Sequence, residues 1–254
     1  MWYHGTPHRY AQPACPRQRD ASCHWNALIG THYTRNADTA RRFQRGLHHG
    51  ASAAGHLRTL PDLPGPALAF SNEYQLEDTV AACALRAGVF TGAELEELWE
   101  YEPGQINPAL TLRDLEQDLS DPDLYEPGSD HGSRLIGDLR DFRVLPRDYD
   151  LRTAQVLAAI TAFLVHLTAQ GYTCVTYLNT HEDETDGEAE ETAILPHVRQ
   201  ARGEILNAAD LHTLFLAEHQ QRLNALDRAR RARLTFQELP CPPTRTPPAS
   251  ATQP

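Results

Sequence analysis

Apolar positions along this chain recur with two periods, and the switches between them outline its elements. Ala37, Ala40, Phe43 and Leu47 follow at helical spacing after the β-type run Gly30-Thr31-His32-Tyr33-Thr34. Thr34 or Asn36 supplies that helix's cap. Leu76, Val80, Ala84 and Ala87 predict a helix over 73–87. Thr91-Gly92-Ala93-Glu94 has the form of a capping box, with Leu95, Leu98 and Trp99 continuing the helix it starts. A shorter helix is predicted over 112–119. The stretch 151–169 is apolar nearly all round, so it predicts a buried helix, with Asp150 before it and Gly171 after it. Residues 173–178 and 192–195 read as strands on either side of an acidic run. Asn207 caps a last amphipathic helix over 208–233, lined by Leu211, Leu214, Phe215, Leu223 and Leu226.

The remaining stretches lack either period. Residues 1–35 read as strand, polar loop and strand. Residues 48–70 read as loop, with a strand at 67–70, and 120–149 as turn-rich and acidic. The end of the chain, rich in Pro, Thr and Ser, reads as disordered. The expected organisation is one domain over 1–236, with a helical insertion at about 50–150, and a Pro-rich tail over 237–254.

Composition narrows the chemistry. The 254 residues carry 34 acidic and 23 basic groups, a formal net charge of -11, and all 23 basic residues are arginine. With no lysine there is no Schiff-base lysine, no Ser-Lys dyad and no GxxxxGK[ST] phosphate loop. Net acidity argues against a nucleic-acid partner, whose phosphates would need basic charge. The most apolar run, 156–167, is interrupted by Thr161 and His166, and no membrane span or signal peptide is read. The five cysteines are an odd set without CxxC spacing, which predicts a reduced, cytoplasmic setting. Delivery into a host cell without a classical signal peptide is the alternative. Cys15, Cys23 and His24 lack a fourth ligand at zinc spacing, so no metal is expected.

Candidate chemistry sits in three separated segments. They are Tyr3-His4-Gly5-Thr6, then 30–40 (GTHYTRNADTA), then 171–182 (GYTCVTYLNTHE) leading into an acidic loop. In order and spacing they resemble the ADP-ribosyltransferase fold of the His-Tyr-Glu class, similar to diphtheria toxin and the poly-ADP-ribose polymerases. The resemblance covers about 1–44 and 151–200. It implies an α+β fold with a split β-sheet core, the helical insertion and the long C-terminal helix. It also implies an NAD-dependent mono-ADP-ribosyltransferase of bacterial or phage type, toxin-like, with NAD as substrate and a protein as acceptor.

The resemblance further implies roles. His4 would hydrogen-bond the adenosine ribose, the Gly5 backbone would hold the nicotinamide amide with Thr6 nearby, and Tyr33 would stack on the nicotinamide ring. Thr34, Tyr177 and Asn179 complete the implied NAD contacts. A glutamate would stabilise the cation formed as nicotinamide leaves. Glu182 fits the Y-x-N-x-x-E pattern and is the first choice; Glu191, Glu190 and Glu184 stay open. Physically, cleavage at the ribose passes through an oxocarbenium-like transition state, and a fixed carboxylate beside the developing charge lowers that barrier. A silent interaction module of the same fold, an NAD glycohydrolase and an RNA 2′-phosphotransferase are the alternatives.

Overall fold

The computed structural model describes residues 1–6, 28–44, 55–120, 151–179, 190–196 and 207–237. Its strands are β1 (Trp2–Thr6), β2 (Gly30–Thr34), β3 (His56–Leu60), β4 (Ala67–Ala69), β5 (Cys174–Asn179) and β6 (Glu190–Pro196). They form one mixed sheet in the order β3-β1-β2-β6-β5-β4, in which β4 and β5 are parallel and the other pairs antiparallel. The helices are α1 (Ala37–Gln44), α2 (Glu73–Arg86), α3 (Gly92–Trp99), α4 (Pro108–Ser120), α5 (Leu151–Ala169) and α6 (Ala208–Gln237). The chain is therefore α+β.

Strand pleating divides the sheet's side chains between two faces. Val175, Tyr177 and Ile194 project from one face into the main core, against Leu76, Val80 and Ala84 of α2 and Ala159, Phe163 and Leu167 of α5. Helix α5 is long and apolar enough, by length and composition, to cross a membrane, but 72% of its most apolar window is buried inside the protein. Burial on nearly every side explains why its sequence shows no polar face. Thr161 does not interrupt it, because its hydroxyl donates to the Leu157 carbonyl at 2.6 Å. Gly171, at φ +81°, takes the left-handed turn that ends this element.

Helix α6 packs along α5, with Phe215 and Leu226 buried. Asn207 caps it, its Oδ1 accepting from the Ala209 and Asp210 amides at 3.0 Å each. Near its far end Arg230 donates to both carboxylate oxygens of Glu94, at 2.9 and 2.8 Å, and to the Val89 carbonyl at 2.6 Å. Arg233 pairs with Glu97. Glu94 also closes the capping box of α3 with Thr91, as the sequence predicts.

Several expectations change. Residues 56–60, read as loop, form β3. This edge strand is mostly exposed, so its apolar alternation is too weak to register. Phe43 is 37% exposed and points away from the core, although it falls on the helical repeat. Residues 55–120, grouped above as an insertion, supply both edge strands of the sheet and a core helix, α2. The described strands make one continuous sheet, where a split sheet was expected. Its narrowest join is between β1 and β2, which share only the Tyr3–Thr34 pair, whereas β1–β3 and β2–β6 are paired along their lengths. Leu47, residues 121–150, residues 180–189 with Glu182 and Glu184, the residues Cys15, Cys23 and His24, and residues 238–254 lie outside the described residues.

Candidate functional site

The seam between β1 and β2 builds the site. Beyond Tyr3–Thr34 the two strands share no further pair, and the His4 ring bridges the gap. Its Nδ1–H donates to the His32 carbonyl at 2.7 Å. A carbonyl can only accept, so this bond places the proton on Nδ1 and leaves the Nε2 lone pair as an acceptor. Burial lowers the His4 pKa, the hydrogen bond partly offsets this, and Arg58 lowers it further. The neutral, accepting imidazole is thus the form at pH 7.

Pleating sets which side chains join it. Tyr33 lies on the same face, its ring centroid 5.4 Å from that of His4 and tilted by 46°. Burial raises the pKa of its hydroxyl, so the phenol stays protonated. Trp2 and Arg35 occupy the next row, the guanidinium carbon 4.1 Å from the indole centroid, a cation–π contact. Register then carries the face across to β6, where Tyr33 opposes Ala193. Two residues along, Arg35 Nε meets Glu191 Oε2 at 3.1 Å, with the two side chains 49% and 43% exposed. Trp2, Tyr33 and Ala193 form a small apolar cluster beneath these polar groups, with Leu60, Leu63 and Leu195 around it.

The adjacent glutamate goes the other way. Glu190 Oε2 accepts from Thr39 Oγ1 at 2.8 Å, and its Oε1 accepts from the Asn36 amide at 3.3 Å. Asn36 in turn caps α1, accepting from the Asp38 and Thr39 amides. Glu190 therefore fastens α1 to β6 on the helix-covered face. Successive residues of a strand point to opposite faces, so only Glu191 of this pair shares the face of His4 and Tyr33.

The other sequence-predicted site residues divide similarly. Thr6 follows His4 on the same face and is buried. Thr34 accepts from the Asn36 amide at 3.0 Å and serves the turn into α1. Tyr177 is 2% exposed within the main core, and Asn179, opposite Glu190, is 8% exposed. Neither shares the face of His4. Gly5 faces α1: a Cβ there would lie 1.6 Å from the Ala40 carbonyl oxygen, so glycine is required by packing alone. Arg58, which the sequence reading passed over, stands directly opposite His4 on β3. Its signal was hidden because 56–60 read as loop.

Among the described residues no group of three or more His, Cys, Asp or Glu side chains is placed to hold a metal ion. The site offers a neutral imidazole acceptor, a phenol ring face, an exposed carboxylate and two guanidiniums. Comparison of the chain with models of protein families, with curated proteins and with solved structures gives no match.

Proposed function

We propose that the chain is an NAD-dependent mono-ADP-ribosyltransferase built on the His-Tyr-Glu variant of the ADP-ribosyltransferase fold, with Glu191 as its catalytic carboxylate. The observation that carries this reading is the gathering of His4, Tyr33 and Glu191, from three successive strands, on one face of the sheet. In this reading Nε2 of His4 accepts a hydrogen bond from a ribose hydroxyl. The Tyr33 ring receives the flat, cationic nicotinamide. The C–N bond to nicotinamide breaks, nicotinamide leaves with the electron pair, and Glu191 faces the positive charge left on the ribose. The acceptor's nucleophile closes on that carbon and its proton is released, giving ADP-ribosyl acceptor, nicotinamide and a proton. Arg35 must release Glu191 as the ligand enters. An exposed ion pair contributes only about 0–1 kcal/mol, so this exchange is inexpensive.

The test is incubation of the full chain with labelled NAD and a protein extract. Nicotinamide release and labelled protein are expected, both lost in Glu191→Gln and kept in Glu190→Gln. Loss in Glu182→Gln with full activity in Glu191→Gln would move the role to Glu182. No release with any preparation would sink the reading. The Arg35–Glu191 pair favours one second reading, a silent binding module whose carboxylate stays occupied. Calorimetric binding of NAD without turnover would select it.

A further inference from the structure

Arg58 borders the site on the side away from Glu191. The β1–β3 register sets it directly opposite His4, and Tyr33 lies on the other side of that ring. Across the sheet one row of side chains therefore reads Arg58, His4, Tyr33. Neighbouring strands lie about 4.8 Å apart, so the row spans roughly 10 Å from Arg58 to Tyr33, and Glu191 lies on the strand beyond. Arg58 is exposed, and among the described residues it forms no ion pair. Its charge nonetheless reaches the site, since it lowers the pKa of both His4 and Tyr33, acting against the dominant effect of burial at Tyr33. Arg35 differs, being stacked on Trp2 and paired with Glu191.

The order of chemistry along this row is a cation, a hydrogen-bond acceptor and an aromatic face. A nucleotide presents the complementary order of phosphate, ribose hydroxyl and heterocycle. We propose that Arg58 is the phosphate-binding residue of this site, its guanidinium fork taking a phosphate carried by the ribose that His4 holds. A guanidinium suits this role because its planar donors match two phosphate oxygens at once. The inference rests on the reading of the site as one for NAD. The phosphate is the 5′-linked pyrophosphate, which ADP-ribose, NAD and NADP all carry.

Calorimetric titration of the full chain tests this with ADP-ribose, adenosine, NAD and NADP, using wild type, Arg58→Gln and Arg58→Lys. Loss of a charged hydrogen bond corresponds to about a 10- to 100-fold loss of affinity. That loss is expected for ADP-ribose and NAD in Arg58→Gln, with partial recovery in Arg58→Lys and adenosine binding within about twofold of wild type. An equal loss is expected for NADP, which carries the same pyrophosphate; a loss confined to NADP would place Arg58 on the 2′-phosphate and overturn the proposal. Unchanged ADP-ribose affinity in Arg58→Gln, an equal loss for adenosine, or no binding of ADP-ribose by wild type overturns the proposal. The two readings fail separately. Arg58-dependent ADP-ribose binding without nicotinamide release upholds the phosphate site and removes the transferase. Nicotinamide release with a KM for NAD unmoved by Arg58→Gln does the reverse.

Discussion

Replacing Glu190 and Glu191 by alanine, one at a time, should separate stability from chemistry. Glu190 accepts from Thr39 Oγ1 and the Asn36 amide, and Thr39 is only 7% exposed. Its removal strands a buried hydroxyl and unties α1 from β6. A hydrogen bond to a charged group is worth about 1.5–3 kcal/mol and a stranded buried group costs about 1–3 kcal/mol, so Glu190→Ala should lose about 2 kcal/mol. In a domain of this size that lowers Tm by roughly 4–8 °C. Glu191 loses one ion pair whose partners are nearly half exposed. Its stability cost is about 0–1 kcal/mol, at most roughly 4 °C. Activity should reverse the ranking. Glu191→Ala removes the charge facing the transition state and should slow nicotinamide release by about 10²–10³-fold, a size typical of lost electrostatic stabilisation. Glu190→Ala should retain most of it at a temperature where it is folded. Calorimetric melting and nicotinamide release from the same preparations read both quantities. Equal Tm losses in the two variants would refute the division of faces. Full activity in Glu191→Ala would refute its role.

Further expectations concern the parts that hold this face in place. Gly5→Ala should destabilise the chain by about 1–3 kcal/mol or more with no ligand present, because the clash is with the Ala40 backbone; a denaturation midpoint equal to wild type would contradict it. The lowered pKa of His4 should make stability fall as pH drops below about 6.5. There the unfolded imidazole takes a proton that the native one resists, whereas above that pH both are neutral and the effect vanishes. His166 and His219 shift in the same direction, so the measurement is the difference in urea midpoint between wild type and His4→Asn from pH 5 to 8; a pH-independent difference would contradict the assignment. Arg230→Ala should cost about 3 kcal/mol, because it leaves a largely buried carboxylate, Glu94, and the Val89 carbonyl without this donor. A loss below about 1 kcal/mol in chemical denaturation would show the pair to be no more than a surface contact.

Much of the helical structure is legible in the sequence because its signals are local. The Thr91–Glu94 box, the Asn207 cap and the apolar-rich stretch 151–169 each report their own conformation within a few residues. The site is less legible because strand side is a non-local property. Glu190 and Glu191 are chemically identical and adjacent, and only the register of β6 against β2 tells them apart. Tyr177 and Asn179 satisfy a sequence motif yet pleat away from His4, for the same reason. Arg58 belongs to the site only through the pairing of β3 with β1, and an exposed edge strand carries almost no periodic signal. Gly5 shows the converse. Its position in a His-Gly-Thr run suggests a ligand, while the approach of α1 already accounts for it.

The sheet's strand order has a consequence for how the protein is made. The central strand β6 comes from residues 190–196, whereas its neighbour β2 comes from residues 30–34. During synthesis, before residue 190 is made, the chain can form only the flanks, β3-β1-β2 and later β4–β5, around an unfilled middle. The large loop closed by β2–β6 pairing makes its arrival slow and concerted. Until then β2 presents an unpaired edge, the kind of surface that recruits foreign strands. Production of the chain should therefore be most prone to aggregation just before residues 190–196 leave the ribosome, and His4 and Tyr33 meet Glu191 only when β6 arrives.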